Sequence, residues 1–274
     1  VGAGIQLSPN GTRILEQLGI REELQAFSTE PDFHKYTAWD TGEIVLTTPL
    51  KPKVRETYGN AYFHAHRADL IDALTVRLNR DRVMMNTKVT RVTQTSAKVT
   101  IDLENGGKLN ADLLIAADGI HSTVRSQVFL ADSPRPSGYV SWRGIADADA
   151  IVHLQIPVSA YVDMGPRLSF VYYFVSGGKR LNWLALGQTN DPKRESWSQM
   201  ASREEVIDAF AGWYDRPRQV IESTPDIFVT ALHDREPLKT WVSGRVALLG
   251  DAAHAMLPYH AQGAVQSLED AWVL

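Results

Sequence analysis

The sequence predicts an α/β fold in which an antiparallel sheet is inserted into a domain built on a parallel sheet. Two short, continuous apolar runs, at 113–117 and 246–249, are typical of strands that are buried on both faces of a parallel sheet. Gly244 and Gly250 bound the second run. Between the runs, from about 138 to 225, strands rich in aromatic residues alternate with turns, which indicates an antiparallel sheet.

Length and composition are those of a globular protein with a sizeable core. The chain has 274 residues, of which 44% are hydrophobic, and its formal net charge is −4. It has no basic cluster of the kind that nucleic-acid binding needs. The lack of cysteine excludes disulfides and zinc–thiolate sites and is compatible with a reducing cytoplasm. We see no apolar run of the roughly 20 residues that a transmembrane helix needs and no signal peptide. We therefore predict a cytoplasmic protein that binds small molecules and does not insert stably into a membrane.

The N-terminal segment predicts a tight glycine turn followed by a helix. Residues 2–4 should form the turn, Ser8 is a plausible N-cap, and Pro9 suits the first helical position. Gly19 should end the helix. The predicted apolar face of this helix consists of Ile14, Leu15 and Leu18. The third glycine of the G-x-G-x-x-G dinucleotide motif falls at Leu7 and no strand precedes the match, so we reject that motif.

Further elements follow along the chain. Residues 35–40 and 43–47 predict a hairpin around Thr41-Gly42, and Arg67 opens a predicted helix over 68–78. Further strands are predicted at 82–85, 88–92 and 98–103, with another from 109, and a helix at 203–214 interrupts the inserted strands. His64 and His66 form at most a two-ligand metal site, so we predict no metal.

Two carboxylates follow the two apolar runs. Asp118 comes after the first and Asp251 after the second. Ligands of open α/β sheets bind at the carboxyl ends of the strands, where a carboxylate can accept hydrogen bonds from sugar or ribityl hydroxyls. Gly263 lies in the first turn of a predicted helix over 262–274, with Val265, Leu268 and Trp272 on one face, and lets a ligand approach backbone N–H groups there. Each carboxylate also has an alternative role that involves no ligand. Asp251 would cap a helix, and Asp118 would hold its own loop.

Four stretches resemble motifs of the single-component, FAD-dependent aromatic hydroxylases, the group A flavoprotein monooxygenases that include salicylate hydroxylase and 3-hydroxybenzoate 6-hydroxylase. The stretches are residues 2–10, 66–70, 112–125, and Gly250-Asp-Ala-Ala-His254 with Pro258 and Gln262-Gly263. Their order and separation match as well, so the resemblance covers nearly the whole chain.

The resemblance implies a nucleotide-binding, Rossmann-like FAD domain at 1–137 and 239–274. The hairpin at about 35–47 would face the substrate side, and an antiparallel-sheet substrate domain at 138–238 would be inserted. It also implies that the glycine-rich loop lies upstream. We therefore expect a fragment that lacks the N-terminal glycine-rich motif and the C-terminal end.

The activity implied by the resemblance is hydroxylation of a small, salicylate- or hydroxybenzoate-like aromatic. FAD, NAD(P)H and O₂ would take part, through a C4a-hydroperoxyflavin. Two alternatives stay open. One is an epoxidase or tailoring oxygenase that acts on a larger olefin or polycycle, and the other is a flavin-binding domain that has lost catalysis. A homodimer is an open alternative for the assembly.

The resemblance also implies which residues contact the cofactor. These are Ala3, Arg67, Val89, Asp118, Gly119, Asp251, Gly263 and Ala264. The helix N-terminus at Gly263 and Ala264 would stabilise negative charge on the reduced flavin. An arginine fork at Arg67 suits pyrophosphate oxygens, with a solvent-facing charge as the alternative. Pro258 would shape the loop against the flavin because its φ is restricted and it has no N–H.

The catalytic base does not follow from the resemblance. Several relatives carry histidine where this chain has Ser169, and proline where it has Phe174. Tyr173 matches a tyrosine of relatives and could orient the ring or its phenolate, whereas His260 could act near neutral pH. Together with Pro258 these two are the predicted catalytic residues. The alternatives are a core position for Tyr173 and an exposed loop position for His260.

A substrate carboxylate would need an arginine or backbone donors. Arg143 and Arg167 could each serve, and their spacing in the sequence selects neither.

Overall fold

The fold is described from a computed structural model, which covers residues 3–188 and 199–274. Contacts divide the chain into two compact units. The first unit consists of Val1–Val76 and Ser137–Leu232, and the second consists of Arg77–Pro136 and His233–Leu274. Because these units follow contacts rather than function, the domain boundaries at 137/138 and 238/239 stay a prediction.

Strands and helices alternate along the chain. The strands are β1 (Gly4–Leu7), β2 (Phe33–Ala38), β3 (Ile44–Pro49), β4 (Phe63–His66), β5 (Val89–Gln94), β6 (Val99–Leu103), β7 (Lys108–Ala111), β8 (Leu114–Ala116), β9 (Arg135–Asp147), β10 (Ala160–Gly165), β11 (Leu168–Val175), β12 (Arg180–Gln188), β13 (Ile227–Asp234), β14 (Val242–Ser243) and β15 (Val246–Leu248). The helices are α1 (Pro9–Gln17), α2 (Arg21–Phe27), α3 (Lys53–Tyr58), α4 (Arg67–Thr75), α5 (Thr123–Val128), α6 (Arg203–Ala209), α7 (Asp215–Glu222), α8 (Asp251–His254) and α9 (Gly263–Val273).

The first unit is built on a seven-stranded sheet with the order β13-β9-β12-β11-β10-β2-β3. Of the strand pairs with a described register, β10 and β2 run parallel and the others run antiparallel. Strand alternation gives the sheet two different faces. One face packs its aromatic residues against α6 and α7. This core includes Trp142, Phe170, Tyr172, Trp183, Val206, Phe210, Val220 and Ile221. The opposite face carries Tyr173.

The predicted hairpin at 35–47 is confirmed by β2 and β3, which pair antiparallel. These two strands extend the same sheet as β9 to β12, which come from the predicted substrate domain. A separate two-stranded sheet pairs β1 with β4. The early part of the chain therefore contributes strands to the unit that also contains most of the predicted insertion.

The second unit contains two small sheets. In the first, β15 lies between β14 and β8 and is parallel to β8. In the second, β5, β6 and β7 form an antiparallel meander. One apolar cluster joins these sheets to α5 and α8. It includes Val92, Val99, Ile101, Val124, Val246, Leu248 and Ala252. The predicted strand at 246–249 is confirmed, since all three residues of β15 are buried.

Several predicted elements were wrong. Of the glycine turn predicted at 2–4, Gly2 lies outside the described residues, and Gly4 begins β1 instead because its backbone pairs with β4. The predicted strand at 82–85 is not formed, since a 3₁₀ turn at Arg80–Arg82 ends just before exposed residues. The predicted helix at 203–214 ends at Ala209, and Gly212, with φ +81°, lies in the turn that leads to α7.

Four positions predicted to be apolar contacts are exposed instead. Leu18 is 48% exposed because α1 ends at Gln17 and Leu18 is already its C-cap. The apolar run at 113–117 is not buried on both faces as predicted. Leu113 and Ile115 are 53% and 45% exposed, since alternation along the chain turns both away from the side on which Ala116 packs. Trp272 is 54% exposed in the last turn of α9. Among residues 3–188 and 199–274, no helix has the length and apolarity needed to cross a membrane.

Candidate functional site

Asp118 and Asp251 follow two adjacent parallel strands. In the β8–β15 pair, Leu248 lies opposite Ala116, and the backbone N–H of Leu249 donates to the Ala116 carbonyl at 2.9 Å. The two carboxylates therefore leave the same edge of this sheet, where ligands of α/β sheets bind. Asp251 is exposed at the first position of α8, after Gly250 with φ +60°.

The carboxylate of Asp118 holds its own loop. It accepts a hydrogen bond from the Ser122 hydroxyl at 2.5 Å and another from the Val124 N–H at 3.1 Å. Ser122 caps α5, because its hydroxyl oxygen accepts from the Arg125 N–H at 2.9 Å. Gly119 has φ +77°, a conformation that favours glycine. The loop-holding role of Asp118 is thus present, and its contact with a cofactor stays a prediction.

Arg125 joins the two motifs of the second unit, a role that sequence reasoning missed. Its guanidinium is fully buried and donates to the carbonyls of Ala252 and Ala253, at 3.3 and 3.0 Å. It also makes a bidentate pair with Asp132, at 3.1 and 2.7 Å. Partial burial alone would raise the pKa of Asp132, but the hydrogen bonds and charge of Arg125, with the charge of Arg235, hold that pKa below its usual value.

Asp270 fixes the turn before Asp251, and this contact was also missed. Its carboxylate accepts a hydrogen bond from the Gly250 N–H at 2.8 Å and lies 2.6 Å from Nε2 of His254. The Trp241 ring packs on His254 with ring centroids 5.0 Å apart. Because Asp270 belongs to α9, it ties this helix to the loop at the end of β15.

The N-terminus of α9 offers open backbone. A Cβ added at Gly263 would meet no atom within 4 Å, so a ligand has room to reach the N–H groups of the first turn. Ala264 follows in the same turn. Pro258 is half-buried and His260 is exposed in a 3₁₀ turn that precedes this helix.

In the first unit, two predicted cofactor residues are in contact. The Arg67 N–H donates to the Ala3 carbonyl at 2.9 Å. Arg67 is exposed and begins α4, as predicted. Val89 lies in the second unit, where it begins β5 and packs half-buried against the apolar cluster there.

Tyr173 lies on the sheet face that is opposite the aromatic core. Its neighbour across the sheet is Asn182, whose side-chain oxygen accepts from the Gly4 N–H at 2.6 Å. A Cβ at Gly4 would lie 2.5 Å from Asn182 and 2.7 Å from Tyr173, so only glycine fits there. Tyr173 is 5% exposed, and burial, together with Tyr62, raises the pKa of its hydroxyl well above its usual value. Its protonated form is therefore stable across the physiological range.

The two candidate arginines, Arg143 and Arg167, line different cavities. Arg143 is 6% exposed, and burial lowers its pKa to about 10. It pairs across the sheet with Leu184, on the face of Tyr173, and lines a cavity of about 270 Å³ with His66 and Asn182. Arg167 is exposed in the β10–β11 hairpin and lines another cavity, with Trp142 and Leu168 of the helix-covered side.

His64 and His66 occupy alternate positions of β4 and are both buried. Within the described ranges, no group of three or more histidine, cysteine, aspartate or glutamate residues could hold a metal ion.

A family model described as the FAD binding domain matches residues 4–274. The chain belongs to this family. It is 37% identical over 274 residues to 3-amino-4-hydroxybenzoate 2-monooxygenase of Streptomyces cremeus, an alignment that covers 100% of this chain and 68% of that protein. It is 34% identical over 301 residues to salicylate hydroxylase of Pseudomonas putida, with 100% and 67% covered. The predicted family of FAD-dependent aromatic monooxygenases is confirmed, and with it the use of FAD and NAD(P)H.

The fold is also that of a solved flavoprotein. Klebsiella pneumoniae HpxO complexed with FAD and uric acid superposes with a TM-score of 0.88 and 29% sequence identity, which covers 99% of this chain and 69% of that chain. The predicted fold class, a Rossmann-like FAD domain with an inserted antiparallel sheet, is thereby confirmed.

The residues of this flavoprotein chain fit FAD. Open space lies beside Gly119 and Gly263, where an added Cβ would meet no atom within 4 Å. Exposed Asp251 provides acceptor oxygens for the hydroxyls of a ribityl chain. The N-terminus of an 11-residue helix provides donors for an anionic edge.

Proposed function

We propose that this monooxygenase hydroxylates a small phenol that carries a carboxylate, bound against the sheet face of Tyr173. The observation that carries the proposal is the polar chemistry of that face. Tyr173, Asn182 and Arg143 come from three adjacent strands and are all buried, so they form a prepared surface rather than a solvated one. Buried polar groups of this kind fix the orientation of a ligand in an otherwise apolar pocket.

Arg143 is the proposed partner of the substrate carboxylate. Its planar guanidinium can bind both carboxylate oxygens, and its burial strengthens that interaction relative to one in water. The relatives named above act on hydroxybenzoates, by their names, which supports a carboxylated ring as the substrate class. Arg167 lies toward the helix-covered side and is not proposed for this role.

Tyr173 is the proposed contact of the phenolic oxygen. Because the pKa of its own hydroxyl is raised, Tyr173 stays protonated and donates a hydrogen bond. Such a donor stabilises a phenolate, which is the electron-rich form that an electrophilic oxygen attacks. His260 is exposed, and we propose it as the group that exchanges the substrate proton with solvent.

FAD is proposed to be held by the residues that the sequence predicts for it. Asp251 would bind ribityl hydroxyls, Arg67 would bind pyrophosphate oxygens, and the first turn of α9, at Gly263 and Ala264, would face the anionic edge of the ring. Ala3, Val89, Asp118 and Gly119 would complete the contacts, and Pro258 would shape the loop. When bound, the flavin supplies the transfer of electrons from NAD(P)H to O₂.

The test is a titration of the flavin-loaded protein with salicylate and related phenols, followed by its visible absorption spectrum. We expect a saturable shift of the flavin bands with one carboxylated phenol, and stimulated NAD(P)H oxidation with the same compound. Flavin bands that ignore every phenol would contradict the proposal and favour an epoxidase acting on a larger olefin. Binding without stimulated oxidation would indicate a domain that has lost catalysis. A cytoplasmic location and a homodimer stay predictions, and sedimentation would test the latter.

A further inference from the structure

A chain of hydrogen bonds reaches Tyr173 from outside its own sheet. The Tyr62 hydroxyl donates to the side-chain oxygen of Gln6. The side chain of Gln6 also hydrogen-bonds the Tyr173 hydroxyl, a contact that favours the ionised form of that tyrosine. Gln6 belongs to β1 and lies directly opposite His64 of β4. The three side chains therefore form one sequence of contacts, from Tyr62 through Gln6 to Tyr173.

The chemistry of glutamine sets the direction of these bonds. Its carboxamide has an oxygen that only accepts and a nitrogen that only donates. The hydroxyl of Tyr62 occupies one acceptor position of the oxygen. We assign the amide nitrogen to Tyr173 because the contact favours the ionised form of that tyrosine, as a hydrogen-bond donor does. A hydroxyl that accepts from an amide keeps its single proton for another acceptor. Tyr173 is therefore prepared as a donor toward whatever oxygen lies in front of it.

The ring that packs on Tyr173 is uncharged, and the charged side chain that the site contributes on the same face is Arg143. The His64 ring packs on the Tyr173 ring with centroids 4.2 Å apart. Burial, together with His34, lowers the pKa of His64 to about 3, so His64 is neutral at physiological pH. Beyond it, β2 contributes His34, whose pKa burial lowers, and Tyr36. In the part of the chain that the structure covers, neither ring nitrogen of His64 has a hydrogen-bond partner.

We propose that Gln6, held by Tyr62, is a positioning residue that keeps Tyr173 as a hydrogen-bond donor to the phenolic oxygen of the substrate. This inference rests on the proposed function, which puts the substrate against Tyr173. It assigns a task to Gln6 and Tyr62, two residues to which the proposed function gives no role. The expected consequence is that the bound phenol ionises at a lower pH than it does in variants without the chain of bonds.

The experiment uses the holoenzyme with salicylate, or with whichever phenol of the same panel saturates the flavin shift. The pH profiles of kcat and kcat/KM are compared for the wild type, Gln6→Leu, Gln6→Glu and Tyr62→Phe. We expect the Gln6 variants to raise the acidic limb of the profile by about one pH unit and to lower kcat about tenfold near neutral pH. KM and flavin content should change much less. Tyr62→Phe should shift the limb in the same direction by a smaller amount.

Two controls separate positioning from structure. Tyr36→Phe removes another hydroxyl near Tyr62 without touching Gln6 and should leave the profile in place. In a Tyr173→Phe background, Gln6→Leu should have no further effect on the profile, because the two residues act as a unit.

The outcomes are distinguishable. If Gln6→Leu shifts the profile equally with and without Tyr173, or lowers only flavin content and Tm, the inference is overturned and Gln6 is structural. If Tyr173→Phe itself leaves the profile and the phenol titration unchanged, the proposed contact of Tyr173 with the substrate fails, and the positioning role fails with it.

Discussion

Asp163 and Asp251 show how packing gives one residue type two different tasks. Asp251 is exposed after β15, where its oxygens can accept from a ligand. Asp163 is fully buried in β10 and accepts a hydrogen bond from the Tyr214 hydroxyl at 2.7 Å. Burial raises the pKa of Asp163 to about 6, although Tyr214, Thr37 and Arg216 act in the opposite direction.

Asp251→Ala should weaken FAD binding by about 1 to 3 kcal/mol, because it leaves ligand hydroxyls without their acceptor in the bound state. The dissociation constant can be measured by titrating FAD into the apoprotein and following flavin fluorescence. Asp149→Ala removes another exposed aspartate, in the first unit, and is the matched control. Unchanged flavin affinity in Asp251→Ala would remove this residue from the cofactor site.

Asp163 should make part of the stability depend on pH. Since its folded pKa is raised, its contribution is fully present below about pH 4 and is lost as the pH rises through 6. Asp163→Asn removes this loss and keeps an acceptor for Tyr214. Denaturant unfolding at pH 4 and pH 7 measures the effect. The free energy of unfolding of the variant, relative to that of the wild type, should increase by about 1 to 2 kcal/mol between these two pH values. A constant difference between the two proteins would contradict the assigned pKa.

At the scale of elements, helices are held to the strand ends by single polar side chains. Arg125 of α5 binds carbonyls of α8, and Asp270 of α9 binds the turn that starts α8. Both contacts satisfy polar groups near helix termini, which would otherwise be costly to bury. The loops that follow β8 and β15 are thus held through helices rather than through the strands alone.

Asp270→Asn should loosen this arrangement. An amide cannot accept well from both Gly250 and His254, so we expect FAD to bind about 1 kcal/mol more weakly and the amides of residues 250–254 to exchange faster with deuterium. Hydrogen-exchange mass spectrometry measures the second effect directly. Glu269→Gln changes the neighbouring carboxylate, which pairs with Gln266 instead, and should leave both quantities in place. Equal exchange in the two variants would show that Asp270 does not hold the turn.

At the scale of the whole molecule, two buried groups act oppositely on stability. The folded pKa of His64 is lowered by burial and by His34, so its contribution is present above about pH 6.5 and is lost as the pH falls toward 3. Asp163 loses its contribution as the pH rises over part of the same range. The two slopes therefore partly cancel in the wild type between pH 4 and 6.

Removing either group should reveal the slope of the other. In Asp163→Asn, unfolding free energy should rise with pH between 4 and 6 more steeply than in the wild type, whereas in His64→Gln it should rise less or fall. The change in unfolding free energy from pH 4 to pH 6 should differ between the two variants by on the order of 2 kcal/mol. Chemical denaturation at closely spaced pH values measures these slopes, and parallel curves for the two variants would disprove the cancellation.

Much of the local structure follows from the sequence alone. The start of α1 at Pro9, the hairpin of β2 and β3, the buried β15 and the Ser122 cap all depend on patterns within a few residues. The family motifs are local as well, and they identified the FAD-binding family without any three-dimensional information. The predictions failed where exposure depends on distant packing, as for Leu18, Ile115 and Trp272.

The sequence by itself therefore determined the fold class, the family and the strand ends that carry Asp118 and Asp251. Tertiary structure alone decided which distant side chains meet, such as Arg125 with Ala253, 128 residues apart, and Gly4 with Asn182, 178 residues apart. It also placed Arg143, rather than Arg167, on the face of Tyr173 and connected Gln6 to that tyrosine. The physical reason is that periodicity and caps are local properties, whereas strand order and register, which bring such partners together, depend on the packing of the whole chain.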